Sequence, residues 1–201
     1  ITLAADRWGP RVGAWLGGLP VVFGPITLLI ALEQGGDFAR ASVVAGLAAM
    51  VAVVGFYVGY AILCLRVSWP WAQSGASLLW LGGAAIASFA AQDLVAALAA
   101  ATLAIGLGTM FAPRLDVPLS AARARRGGIG MELAMRAAAG AALTLTATFI
   151  AAGLGPEAAG IVAMFPVVGS VMAIFSQRHA GAVYASAFLS GVARGLWSML
   201  V

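Results

Sequence analysis

Apolar stretches of roughly 20 residues alternate along the chain with short polar breaks. Runs of that length predict transmembrane helices, whereas barrel strands would alternate residue by residue. About seven spans are predicted: 13–32, 38–65, 72–91, 94–111, 131–152, 157–176 and one from 180 onward. The breaks hold the polar and turn-forming residues: Asp6, Arg7 and Arg11; Glu33-Gln34-Gly35-Gly36-Asp37; Arg66 to Trp71 with Pro70; Gln92-Asp93; Gly153-Leu154-Gly155-Pro156; and Gln177-Arg178-His179. Gly-Gly-Asp supplies both a flexible backbone and a helix-start signal. The fold class expected is all-α, a polytopic helical membrane protein.

Two of the spans are interrupted. Gly13 to Pro25 is apolar enough to cross a membrane, yet Gly17, Gly18, Pro20, Gly24 and Pro25 break it. Gly155-Pro156 to Ser170 has the same look, with Pro166 inside it. Gly9-Pro10 precedes Pro20-Val21-Val22 by the interval at which Gly155-Pro156 precedes Pro166-Val167-Val168. The chain reads as a first membrane half over 1–112, a basic loop over 113–130 and a second half over 131–201. The second half repeats the region around 9–60.

Composition agrees with the pattern. The chain is 63% hydrophobic and 9% charged, with mean hydropathy +1.03. Soluble domains carry about 25% charged residues, so these polar groups could not cover a soluble surface. All basic residues are arginine, and their placement fixes orientation. Arg7, Arg11, Arg66, Arg114, Arg123, Arg125, Arg126 and Arg178 fall on one side of the predicted membrane, and Arg40 on the other. The arginine-rich side is cytoplasmic by the positive-inside rule, and Trp8, Trp69 and Trp71 lie at the same surface. The net charge of +4 is then matched to anionic lipid rather than nucleic acid. On this alternation the two interrupted spans cross in opposite directions, which makes them an inverted-topology repeat. Both ends of the sequence are apolar, more helix is expected beyond each, and no signal peptide frames the first residues.

The interruptions are the first candidate site. Proline removes a backbone donor and displaces the carbonyl one turn earlier. In hydrocarbon the freed groups need protein or a water-filled cavity. Paired broken helices in matching repeats point to a transporter's substrate site. The candidate substrate-binding residues are Gly17, Gly18, Pro20, Gly24, Pro25, Pro166, Gly169, Ser170 and Arg194. Arg194 joins them as a charge inside the last span, where it either serves function or snorkels to the surface. Helix packing competes for the glycines, most clearly for Gly55 and Gly59 at four-residue spacing.

The other ionisable groups are assigned bland roles. Glu132 and Arg136 pair on a helix face, Glu157 favours a helix amino end, and Asp93 sits solvated in a hairpin. His179, the one histidine, lies in a break. Cys64 is a small apolar filler that excludes an intrachain disulfide. Metal, hydrolase and phosphate-loop motifs are absent from the sequence, as are the internal histidines a haem subunit needs. No enzyme activity, cofactor or metal is expected.

Gly9-Pro10, Gly18-Leu19-Pro20-Val21, Gly24-Pro25, Leu32-Glu33-Gln34-Gly35, Gly155-Pro156, Ala159-Gly160 and Phe165-Pro166-Val167 resemble the pattern of a family of bacterial multi-pass inner-membrane proteins. The second half is loosely similar to GlpM-type membrane proteins. The resemblance implies a bacterial inner-membrane location and no particular reaction. The expected function is a small secondary transporter or flippase-like carrier with a small-molecule or lipid substrate and the bilayer as its partner. The alternative is a non-catalytic accessory or scaffold subunit, in a homo-oligomer or a larger membrane complex.

Overall fold

The computed structural model describes residues 31–32, 35–91, 93–115, 138, 141, 161–162 and 164–199. Among these residues the structure is all helical, with no strand. Helix α1 is Gly36–Ala48 and α2 is Met50–Leu63. Only a turn residue, Ala49, separates them. Its amide reaches Ala45 and its carbonyl accepts from Val53, so the backbone ladder continues through it. Together they form a 28-residue apolar helix, Gly36–Leu63, about 42 Å long at 1.5 Å per residue. Helices α3 (Trp69–Ala90), α4 (Leu94–Phe111), α5 (Val167–Ala180) and α6 (Ala182–Gly195) follow, and a 3₁₀ turn, Leu196–Met199, closes the described chain.

Two helices, Gly36–Leu63 and Leu94–Phe111, are long and apolar enough to cross a membrane. Of the most apolar 18 residues of each, 67% are buried inside the protein in the first and 22% in the second, so among the described helices α1–α2 is the axis and α4 peripheral. Helix α3 has the length of a span, with 22 residues, but Gln73, Ser74 and Ser77 dilute its apolar character. The expected spans over 13–32 and 131–152 lie outside the described residues, as does the loop over 116–130.

Small residues set the packing around the axis. Gly83 of α3 lies against the Ala52 backbone, Gly55 against the Leu79 backbone, Gly59 against the Leu79 side chain and Gly75 against Leu63. The order 52–83, 59–79, 63–75 makes α3 antiparallel to α2. Gly108 of α4 abuts Val54, and the short turn at Ala91–Asp93 sends α4 back parallel to α2. The packing expected for Gly55 and Gly59 is therefore present.

Contacts also fix α5 and α6. Phe165 meets Phe56, Gly169 meets Tyr57, and Gln177 bonds Tyr60, Cys64 and Val67. Helix α5 thus runs parallel to α2. Ser186 donates to the Ala61 carbonyl at 2.6 Å and Ala182 lies beside Cys64, so α6 runs antiparallel to α2. The two form a hairpin whose turn is Gly181 at φ 90°, ψ 166°. Gly35, before α1, has the same dihedrals. These are the two described residues with positive φ, a region glycine enters without strain.

Several boundaries differ from the sequence reading. Trp69-Pro70-Trp71 is the first turn of α3 rather than a break, because proline is accommodated in a first helical turn. Gln177-Arg178-His179 is the last turn of α5, and the break falls at Gly181. Asp93 is exposed between α3 and α4, as expected of it, and its carboxylate also caps α4 by accepting from the Val95 and Ala96 amides.

A helical break at Pro166

The interruption expected near Pro166 is present. Ile161 and Val162 are helical, and the next helix starts at Val167. Proline cannot donate to Val162, and the chain tightens. Met164 donates to Ile161 at 3.1 Å and Phe165 to Val162 at 2.9 Å, both across three residues. Pro166 then sits at φ −78°, ψ 66°, with Val167 donating back to Phe165 at 2.7 Å. That is an inverse γ-turn. Ser170 donates to the Pro166 carbonyl at 2.7 Å and the helix proceeds.

This turn lies inside the bundle, not at its end. Gly169 meets Tyr57, six residues before Leu63, and Pro166 stands three residues further in along the parallel α5, so the break sits about 13 Å in from the end of α2. A ring cluster surrounds it. Phe165 packs edge-on against Trp80 at 5.0 Å and against Phe56 at 6.1 Å. Phe56 also meets Tyr57 and Tyr60. A Cβ on Gly169 would run into the Tyr57 phenol, so only glycine permits this approach. Pro166, Gly169 and Ser170 stand at the amino end of α5.

The polar groups of this region are unevenly satisfied. Ser170 is 1% exposed, and among the described residues neither its hydroxyl nor the buried Trp80 Nε1 has a hydrogen-bond partner. Among the described residues the amides of Val168 and Gly169, in the first turn of α5, bond to no carbonyl, as helix amino ends require.

Arg194 is not part of this turn. It is half-buried on α6 and reaches the Ala112 and Pro113 carbonyls at 3.4 and 3.3 Å. Those carbonyls end α4, where a cation is favoured. The helical Cα–Cβ bond tilts toward the amino end of α6, which carries the guanidinium toward the end holding Arg66, Arg114 and Arg178. Gly17, Gly18, Pro20, Gly24 and Pro25 lie outside the described residues.

The end beyond the break is closed by Gln177. Its amide donates to the Cys64 and Val67 carbonyls at 3.2 and 2.9 Å and its Oε1 accepts from the Tyr60 hydroxyl at 2.9 Å. Arg178 lies over the Trp69 ring at 5.5 Å, and His179 stacks on Phe175. Sequence reasoning missed Tyr57, Trp80 and Gln177. A signal existed for the tyrosines and the tryptophan, since each carries a polar tip that needs a partner within an apolar helix. Among the described residues no cluster of histidine, cysteine or carboxylates could hold a metal. Compared with known protein families, functionally curated proteins and solved structures, the chain matches none.

Proposed function

We propose that the protein is a small secondary transporter or flippase-like carrier of the bacterial inner membrane, with about seven spans and a site at paired broken helices. The observation that carries this reading is the γ-turn at Pro166, an interruption held inside the bundle by aromatic side chains. Irregular backbone at such depth is tolerated where it meets protein or a cavity.

The inverted repeat has support of its own. Gly35 and Gly181 lie as far apart in sequence as Pro20 and Pro166 or Pro10 and Pro156. They share one backbone conformation, and each precedes a helix. Those helices, α1 and α6, run in opposite directions relative to α2. Arg66, Arg114 and Arg178 gather at one end of the described helices, with Arg40 at the other, as a single cytoplasmic face requires. On this reading Leu103, Leu107, Met110 and Phe111 of the peripheral α4, all exposed, face lipid.

The test is transport by purified protein in proteoliposomes, screened with metabolite mixtures for substrate-driven current. The carrier reading expects a current that Pro20→Ala together with Pro166→Ala abolishes while the protein still inserts. No current, combined with a stoichiometric large partner in native purification, would replace it with the scaffold reading.

A further inference from the structure

Around Pro166 four backbone acceptors are used and one, the Met164 carbonyl, has no backbone donor among the described residues, while several donors are left over. The carbonyls of Ile161, Val162, Phe165 and Pro166 each accept a hydrogen bond. The amides of Val168 and Gly169 find no acceptor among the described residues. Trp80 Nε1, which can only donate, is buried without a partner, and so is the Ser170 hydroxyl. Ser170 stands in the opening turns of a 14-residue helix, and its Cα–Cβ bond tilts toward the amino end. Its hydroxyl is therefore directed at the break. Trp80 reaches the same place from α3, its ring edge-on to Phe165. Buried polar groups are rarely orphaned in folded proteins. Here one buried hydroxyl on α5 and one buried indole in ring contact with Phe165 lack partners, beside two unbonded amides at the positive end of a helix dipole.

Building on the carrier reading above, we infer that the amino end of α5 is a binding site for an oxyanion carried on a small apolar or aromatic body. An oxyanion supplies several acceptor lone pairs and the negative charge that a helix amino end favours. A cation would meet donors and the wrong end of the dipole. The rings of Phe56, Tyr57, Trp80 and Phe165 supply the apolar wall. The Tyr57 phenol fills the space beside Gly169 where a Cβ would stand and so forms one wall of the site. The oxyanion is a carboxylate or a phosphate, the latter including a lipid headgroup.

The full chain, purified in detergent, is titrated with benzoate, phenyl phosphate, benzylamine and benzyl alcohol while its thermal unfolding midpoint is followed. A ligand that binds only the folded state raises that midpoint with concentration. One or both oxyanions should raise it, and benzylamine and benzyl alcohol should not. Preference for benzoate identifies a carboxylate; preference for phenyl phosphate identifies a phosphate. Ser170→Ala and Trp80→Phe should each weaken the oxyanion by about tenfold, the loss of one charge-assisted hydrogen bond. Neither variant removes a hydrogen bond that the described structure makes, so both should fold. The inference is overturned if neither oxyanion shifts the midpoint, if benzylamine or benzyl alcohol acts as strongly, or if both variants bind like the parent. Substrate-driven current in proteoliposomes together with any of these results sinks the oxyanion and leaves the carrier reading standing.

Discussion

Single residues at the break carry opposite energetic signs. Ser170 holds a buried hydroxyl with no partner, a group whose desolvation is uncompensated. Ser170→Ala should therefore leave the unliganded protein as stable as before or raise its stability by about 1 kcal/mol, read from thermal unfolding. Gln177 is the reverse case. Its side chain satisfies two carbonyls and the Tyr60 hydroxyl, and Gln177→Ala should cost about 1–3 kcal/mol in the same measurement. Gly169→Ala places a methyl group against the Tyr57 phenol and should destabilise by about 1–3 kcal/mol through overpacking. Trimming the ring as Tyr57→Leu in the same chain should recover part of that loss. The sequence singled out Gly169 and Ser170 without showing what they meet, because serine and glycine are common in membrane helices. Their meaning comes from the α2 and α3 side chains that the fold sets against them.

At the scale of the element, proline and glycine were the legible signals. Pro166 breaks its helix for the reason its chemistry gives, a missing donor. Where helices start and stop was less legible. Pro70 looked like a terminator and is a first-turn residue, since the same missing donor does no harm there. Arg178 and His179 looked like a loop and lie in the last helical turn, where cations are compatible with the carbonyl end. The cap of α4 offers a direct check. Asp93→Ala removes two accepted hydrogen bonds and should cost about 1 kcal/mol, while Asp93→Asn should recover most of it. Arg194 belongs at this scale as well, since it ties α6 to the carboxyl end of α4.

For the whole molecule, the prediction concerns sidedness. With Cys64→Ser as background, a cysteine at Arg178 should react with an impermeant maleimide only from the cytoplasmic side. A cysteine at Asp93 should react only from the opposite side. Labelling of both from one face of intact cells would overturn the inverted arrangement. The parent chain should label slowly when folded, since Cys64 is buried at 2% exposure. Composition, apolar run length and arginine placement were enough to set the all-α class and the expected orientation. These depend on how segments partition between water and lipid, a property each segment has by itself. The place of the break at Pro166 was equally local, because a proline acts on its own backbone. Which groups meet there was a tertiary decision. Tyr57, Trp80 and Ser170 are far apart in sequence, and only the parallel docking of α5 on α2, with α3 against both, brings them to one turn.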